Sequence, residues 1–421
     1  MLRCGGSFLI KFSLFCAFVG VAAGVCAQEG KGGVEFKVGL KRPERVDGKR
    51  SDAGAKSSEA SEAGEASDDE EVVRVDTSLV ACDVLVLDKA GRAVRGLSAA
   101  DFVVTAEGTP QEIGTFSLGD NAMLPRSIVL IIDHSGSQLP YIENSVRAAQ
   151  TLVEQLNPRD RMAIVTDDVE LLVEFTRDKK LLKESLEALK KKATSKHLPP
   201  AQRVGRSRQY SALLATLYEL FEAGDTRPIV IFQTDGDELA ALRDNNVPVL
   251  MPPLPPEQLA AALKRRQESL REYSLADIYR VAERSRATIY TVVPGVRLIG
   301  LEEGEEPKKL KALREMQGRS FRWITQSDER LKFFAGQARA MQLALFGLSK
   351  MTGGWVDYLE QPGQAAEIYA RILSDINRRY VIGFYPSNIE RDGKRRSLDI
   401  TVRDHPEYTV WGRKSYYAPA P

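Results

Sequence analysis

The sequence predicts an α/β protein with a doubly wound, mainly parallel sheet, a small N-terminal β domain and a C-terminal β hairpin. Apolar strand-like runs and amphipathic helix-like runs alternate over residues 125–387, which is typical of a parallel sheet covered by helices on both faces. Shorter apolar runs separated by turn residues precede this region over 72–120 and follow it over 388–421. With 421 residues, 43% of them hydrophobic, the chain is long enough for one large core and a second, smaller one.

Residues 1–27 have the pattern of a secretory signal peptide. Arg3 and Lys11 precede an apolar stretch, and small residues follow it up to a cleavage site after Ala27. This pattern predicts export to the periplasm, the cell envelope or the extracellular space. Two alternatives are a lipoprotein attached at Cys26 and an uncleaved membrane anchor, although the apolar stretch is short for a bilayer span.

A disordered linker is predicted over residues 28–71, because this stretch is rich in small and charged residues and has almost no large apolar ones. Beyond it, Cys82 is the only cysteine, so the mature chain has no internal disulfide and no cysteine-based zinc site. Cys82 lies in an apolar run and is expected in the core.

Several functional classes find no support in the sequence. Lys and Arg number 59 against 58 Asp and Glu, and a net charge of +1 does not favour a nucleic-acid partner. His134, His197 and His405 are too widely spaced for a zinc pattern. No phosphate-binding loop or nucleophile elbow is present, so neither a small-molecule cofactor nor an enzyme activity is expected. An aspartyl nucleophile at Asp133 would call for a second Asp where Ser135 stands.

The small β domain is predicted from the apolar runs 73–87, 102–105 and 113–116, with a turn at 107–110. It is too short to form a stable hydrophobic core of its own, so we expect it to pack on the region that follows. The runs 397–403 and 408–411 predict the terminal hairpin, which could pair with this β domain.

The α/β region is predicted in detail from the same two periodicities. The predicted strands are 127–133, 162–166, 171–175, 229–233, 288–293, 355–359 and 380–385. The predicted helices are 141–156, 179–191, 211–222, 274–284, 336–350 and 364–379. Insertions at about 237–272 and 295–335 follow strands, so we expect them at the ligand-binding face of the sheet.

Two strand ends in this region carry oxygen ligands. Asp133 ends an apolar strand and is followed by Ser135 and Ser137 at alternate positions in a glycine-containing loop. Asp235 follows the strand 229–233. Because ligands bind at the carboxyl ends of strands in open α/β sheets, we expect both carboxylates at one rim. Oxygen ligands suit Mg²⁺, Mn²⁺ or Ca²⁺, and a cation would relieve the repulsion between two carboxylates.

This arrangement resembles the metal-ion-dependent adhesion site (MIDAS) of von Willebrand factor A-type (VWA) domains, which combines Asp-x-Ser-x-Ser, a distant Thr and a second Asp. Asp133, Ser135 and Ser137 match the first element, and Asp235 matches the last. The Thr position falls on Ser211, which keeps the hydroxyl but lacks the usual Gly-Gly-Thr lead. The resemblance implies that Asp133, Ser135, Ser137 and Ser211 hold the ion directly or through water. Asp235 would contact the ion through water or hydrogen-bond to its ligands.

More narrowly, residues 72–419 resemble the VWFA-related family described in acidobacteria, through the 108–111 and 383–386 motifs beside the metal loop. That resemblance implies a fold and an exported location but no activity. We therefore expect an exported binding module whose metal ion binds an acidic group of a protein partner, as in VWA adhesion. The alternatives are a metal-dependent hydrolase at the same site and a structural envelope protein without metal.

Overall fold

The computed structural model describes residues 38–42, 79–121, 125–195, 207–221, 227–244, 270–302 and 328–420, and the short stretches 256–257, 260, 264, 305–306 and 308–309. All of them belong to one compact unit, Lys37–Pro421. The predicted signal peptide lies outside the described residues, as do most of the predicted linker and much of both predicted insertions.

The described part of the chain contains strands in three sheets and six longer helices around them. The strands are β1 (Val80–Leu87), β2 (Phe102–Ala106), β3 (Thr109–Gln111), β4 (Ile113–Leu118), β5 (Arg126–Ile132), β6 (Arg161–Thr166), β7 (Leu171–Thr176), β8 (Arg227–Gln233), β9 (Thr288–Pro294), β10 (Val356–Leu359), β11 (Tyr380–Phe384), β12 (Arg395–Val402), β13 (Thr409–Trp411) and β14 (Ser415–Tyr417). The helices are α1 (Leu139–Glu154), α2 (Lys179–Ser195), α3 (Gln209–Glu219), α4 (Leu275–Arg284), α5 (Asp328–Met351) and α6 (Ala365–Arg378).

The large sheet has the strand order β10-β9-β8-β5-β6-β7. All neighbours in it are parallel except β6 and β7. This sheet and the helices around it confirm the predicted α/β fold. At its centre β5 and β8 lie side by side with Ile132 opposite Gln233, so the residues that follow these two strands emerge at the same edge.

Helices cover both faces of the large sheet. The main core joins α1, α2 and α6 to one face, while α3 and α5 pack on the other with α4 between them. Every residue of β5, β8 and β9 is buried. Burial on both faces explains why these strands are continuous apolar runs in the sequence, without an alternating pattern.

The other eight strands form two four-stranded antiparallel sheets, β13-β1-β11-β4 and β14-β12-β2-β3. A second core lies between these sheets and includes Val84, Val104 and Ile400. C-terminal strands pair with N-terminal ones, β12 with β2 and β13 with β1, as the sequence predicted for the tail. We call this pair of sheets the β sandwich.

Three strands of the sandwich differ from the prediction. Thr109–Gln111 forms β3, because Glu107 and Gly108 both have positive φ angles, 52° and 79°, and make a tight two-residue turn. β11 lies between β1 and β4, although the sequence placed it with the large α/β region. β12 pairs with β14, whereas β13, its predicted hairpin partner, lies in the other sheet. Periodicity within a segment does not show which sheet a strand joins.

Lys41, in the described part of the predicted linker, forms a parallel bridge with Glu170, directly before the edge strand β7. The Lys41 N–H donates to the Val169 carbonyl at 2.9 Å, and the Lys41 carbonyl accepts from the Leu171 N–H at 2.9 Å. The Leu40 N–H donates to Glu219 Oε1 at 2.9 Å. This segment therefore pairs with backbone groups that an edge strand would otherwise expose.

Two further expectations concern membranes and the cysteine. None of the helices in the described ranges is long and apolar enough to cross a bilayer. Cys82 is a free thiol, 2% exposed in β1, which confirms the predicted core position.

Candidate metal-binding site

The loop after β5 turns sharply around Asp133. This residue is 1% exposed, and its Oδ1 accepts a hydrogen bond from the Ser135 N–H at 2.8 Å. Such a bond between an Asp side chain and the backbone two residues on is a common turn-forming contact. The turn places Ser135 Oγ 3.1 Å from Ser137 Oγ, so the two hydroxyls lie side by side.

The loop after β8 reaches the same place. Gly236 has a φ of 76°, a left-handed conformation that lets the chain turn directly after Asp235. Ser137 Oγ donates to Asp235 Oδ2 at 2.8 Å. The structure thus brings together four of the predicted site residues: Asp133, Ser135, Ser137 and Asp235.

Gln209, at the first position of α3, joins the two carboxylates. Its Nε2 donates to Asp133 Oδ2 at 2.7 Å and to Asp235 Oδ1 at 2.9 Å. Its Oε1 accepts from the Glu238 N–H at 3.3 Å. A second amide, Gln138 Nε2, donates to Asp235 Oδ2 at 2.9 Å. Two glutamine amides therefore satisfy the carboxylates from inside the protein.

Ser211 is not brought into this group. Its Oγ donates to Glu238 Oε1 at 2.7 Å and lies 2.5 Å from the Tyr273 hydroxyl, while its N–H donates to Glu238 Oε2 at 3.0 Å. Arg271 Nε pairs with the same carboxylate at 2.5 Å. Successive helical residues are rotated by about 100° around the helix axis. Gln209 and Ser211 are two positions apart and therefore lie on opposite sides of α3. The predicted hydroxyl position is therefore taken by Gln209.

Negative charge accumulates at this rim. Burial raises the pKa of Asp133 well above its ordinary value, and the charges of Asp167, Asp235 and Asp237 raise it further. Burial also raises the pKa of Asp237, with added repulsion from Asp235, Asp167 and Glu238. In both cases the ionised form lacks enough positive charge nearby to offset its desolvation.

Asp167, which follows β6, is the exception. Burial alone would raise its pKa, but hydrogen bonds from His134 and Ser207 and the charge of His134 outweigh this effect, so the pKa is lowered. His134 Nδ1 lies 2.5 Å from Asp167 Oδ1, and Ser207 Oγ donates to Oδ2 at 2.9 Å. The hydrogen-bond partners of Asp167 are therefore His134 and Ser207, whereas Asp133 bonds to Ser135 and Gln209.

Gln138, Gln209 and Asp167 were not predicted from the sequence. Asp167 follows its strand as Asp133 and Asp235 follow theirs, so the rule that found those two could have found it. Gln138 directly follows the loop serines, and Gln209 precedes Ser211 by two positions. No periodicity marks either amide, and their role depends on where α3 begins.

The donor set fits a hard divalent cation. Two carboxylates and two hydroxyls are the oxygen ligands that Mg²⁺, Mn²⁺ and Ca²⁺ prefer. The pKa of Asp133 is raised first by burial and then by neighbouring negative charge, which a cation would offset. Within the described ranges, no group of three or more His, Cys, Asp or Glu side chains is placed to share an ion. An ion here would therefore need the hydroxyls of Ser135 and Ser137 beside the two carboxylates.

Comparison with known proteins finds a match for the part of the chain that carries this site. Residues 128–238 match the family model of the von Willebrand factor type A domain. A search of curated protein sequences gave no match.

Three solved structures illustrate the wider similarity. An aerotolerance-related membrane protein from Bacteroides fragilis is 16% identical, with 61% of this chain and 99% of that one covered and a TM-score of 0.30. The vWF domain of the type V pili tip protein Mfa5 from Porphyromonas gingivalis is 13% identical, with coverage of 60% and 95% and a TM-score of 0.30. Proximal thread matrix protein 1 from the mussel byssus, with a zinc-occupied MIDAS motif, is 14% identical, with coverage of 60% and 48% and a TM-score of 0.29.

The matched residues run from β5, through the loop of Asp133, to the loop of Asp235, and so contain both halves of the rim described above. The match assigns a von Willebrand factor type A domain to residues 128–238.

Proposed function

We propose that the VWA domain is a binding module that holds a divalent cation, Mg²⁺, Mn²⁺ or Ca²⁺, at the rim formed by Asp133, Ser135, Ser137 and Asp235. The observation that carries this proposal is the hydrogen bond of 2.8 Å from Ser137 to Asp235, which joins the loops of two adjacent strands. Three of these side chains come from one loop, and Asp235 lies 98 positions beyond Ser137 in the chain, yet all four share one rim. Asp133 and the serines would hold the ion, and Asp235 would do so directly or through water.

The charge distribution supports a cation at this place. The Gln209 amide that bridges Asp133 and Asp235 is neutral, and the pKa of Asp133 is raised by burial and by neighbouring carboxylates. A divalent ion would offset this charge more strongly than amide hydrogen bonds do. The chemistry that it would supply is a positive centre for an acidic ligand.

Exposure at the rim supports binding of a partner. Asp133 is buried, whereas Ser137 is exposed and Ser135 is half-buried, so the hydroxyl side of the site faces solvent. Leu139, two residues after Ser137, is 36% exposed. We propose that a carboxylate of a protein partner completes the coordination of the ion, and that the neighbouring apolar surface adds contact area.

Calorimetric titration of Mg²⁺ and Mn²⁺ into the mature protein tests the metal part of the proposal. Wild type should bind one ion, and Asp133→Ala should lose this binding because the buried carboxylate is gone. The matched control is Asp399→Ala, which removes an exposed carboxylate paired with Lys414 far from the rim. If wild type and Asp133→Ala titrate alike, the metal proposal is wrong.

The partner part has its own test. Proteins captured from an envelope extract by the wild-type chain should be released by a chelator, and Asp133→Ala should not capture them. Capture that is equal in both proteins and insensitive to chelator would contradict a metal-dependent interaction. A phosphatase and esterase panel on the Mn²⁺-loaded protein separates the binding module from the hydrolase alternative, which requires Asp133-dependent turnover.

We propose further that the chain is exported and that its domains follow the predicted boundaries. Residues 1–27 would be a cleaved signal peptide and 28–71 a linker, before the β domain at 72–120 and the VWA domain at 125–387, except that β11 within the last range belongs to the β sandwich. The N-terminus of protein recovered from the envelope or medium, determined by mass spectrometry, should be Gln28. Recovery of the full chain from the cytoplasm alone would contradict export.

A further inference from the structure

We infer that Gln209 is a built-in competitor of the cation: its amide holds the place between Asp133 and Asp235, and the site accepts a divalent ion only when this amide moves away. The inference rests on the proposed metal function and adds how that site is regulated.

The first support is the position of the amide. A primary amide nitrogen has two N–H donors, and Gln209 directs one to each carboxylate, at 2.7 Å and 2.9 Å. Gln209 is 1% exposed, and its oxygen is held by the Glu238 N–H at 3.3 Å. The nitrogen therefore stands at the point from which one positive ion would contact both carboxylates.

The second support is the saturation of Asp235. A carboxylate has about four lone-pair positions. In Asp235, Oδ1 accepts from Gln209 and from the Asp237 N–H at 3.2 Å, and Oδ2 accepts from Ser137 and Gln138 at 2.8 Å and 2.9 Å. An ion that binds Asp235 directly must displace one of these donors. Among them, Gln209 is the one that also donates a hydrogen bond to Asp133.

The third support is that both ends of the Gln209 amide, the nitrogen and the oxygen, are held by hydrogen bonds. Its oxygen accepts from the backbone of Glu238, whose carboxylate holds Ser211 and Arg271. Movement of Gln209 breaks its two bonds to the carboxylates and its contact with this loop. Hydrogen bonds to charged groups are the stronger class, so their loss is a cost that the ion must overcome.

The test is a Mn²⁺ titration of Gln209→Ala beside wild type. Because the variant has no competing donor, we expect its Kd for Mn²⁺ to be lower by about tenfold or more. The matched control is Gln150→Ala, which removes a half-buried amide that donates to the Lys183 carbonyl at 3.2 Å, away from the rim. The control should leave the Kd unchanged.

A second variant and a second readout keep the inference testable if the alanine variant does not fold. Gln209→Met keeps the side-chain length and removes the donors, and it should tighten Mn²⁺ binding in the same way. In wild type, NMR signals of the Gln209 side-chain amide should shift on addition of Mg²⁺, because its two hydrogen bonds are lost.

The outcomes separate this inference from the proposed function. If no protein in the series, including the Gln209 variants, binds Mn²⁺ in a way that depends on Asp133, the metal function itself is wrong. If wild type binds and Asp133→Ala does not, but the Gln209 variants bind with equal or weaker affinity, the competitor inference alone is overturned. Weaker binding would show that Gln209 is a ligand.

Discussion

Replacement of Asp83 by alanine would test how the β sandwich supports the strand that positions Asp235. Asp83 in β1 pairs with Arg227 at the start of β8, with Arg227 Nε 3.0 Å from Oδ1 and 3.3 Å from Oδ2. The remaining guanidinium nitrogens donate to the carbonyls of Gly119 and Ile376 at 2.8 Å and 3.0 Å. Arg227 is 1% exposed, so its charge depends on these partners.

The expected cost follows from this geometry. The lost hydrogen bond to a charged group is worth about 1.5 to 3 kcal/mol. Breaking a buried ion pair from one side costs about 3 to 5 kcal/mol, because the other charge stays buried. The Asp83 side chain is 10% exposed, so water can replace part of its contact with Arg227. We therefore expect Asp83→Ala to lower the free energy of unfolding by about 3 kcal/mol.

Urea unfolding followed by circular dichroism measures this cost. Asp399→Ala serves as control, since Asp399 and its partner Lys414 have side chains that are 57% and 58% exposed. Such a surface pair contributes about 0 to 1 kcal/mol. If Asp83→Ala costs no more than the control, the sandwich does not support β8 through this pair and the reasoning is refuted.

Three further predictions concern proton competition, thiol reactivity and backbone packing. Mn²⁺ affinity should fall as the pH is lowered, because protons compete with the ion for the Asp133 carboxylate. Since the pKa of Asp133 is raised above the ordinary 3.8, the loss of affinity in a pH titration should begin well above pH 3.8, and an affinity that stays constant down to about pH 4 would contradict this. Burial raises the pKa of Cys82 to about 12, so a thiol reagent at neutral pH should react with it only after denaturation, and rapid labelling of the native protein would oppose this assignment. A Cβ at Gly354 would overlap the Ile289 carbonyl oxygen, so Gly354→Ala should lower the free energy of unfolding, measured in urea or by heating, by about 2 kcal/mol or more. The control Gly363→Ala has nothing near its Cβ position and should not lower it, and equal stability of the two variants would argue against this packing.

The large sheet was predictable because its signals are local. The continuous apolar runs that end at Ile132 and Gln233 indicate strands buried on both faces. From the rule that parallel strands end at one edge, the meeting of Asp133 and Asp235 follows without any knowledge of the fold in detail.

The position of the third predicted hydroxyl, that of Ser211, and the sandwich topology could not be predicted in the same way. Which residue of α3 faces the rim depends on where the helix begins, and a start at Gln209 turns Ser211 toward Glu238. Likewise, β11 and β13 join sheets through partners about 300 positions away in the chain, and periodicity within a strand contains no information on such pairing.

The most direct test of the central claim is the anomalous scattering of a crystal grown or soaked with Mn²⁺. We predict one anomalous peak between the Asp133 carboxylate and the hydroxyls of Ser135 and Ser137, with the Gln209 amide moved out of its place between Asp133 and Asp235. A fully soaked crystal with no peak at this rim, or with Mn²⁺ held at a different group of side chains, would contradict it.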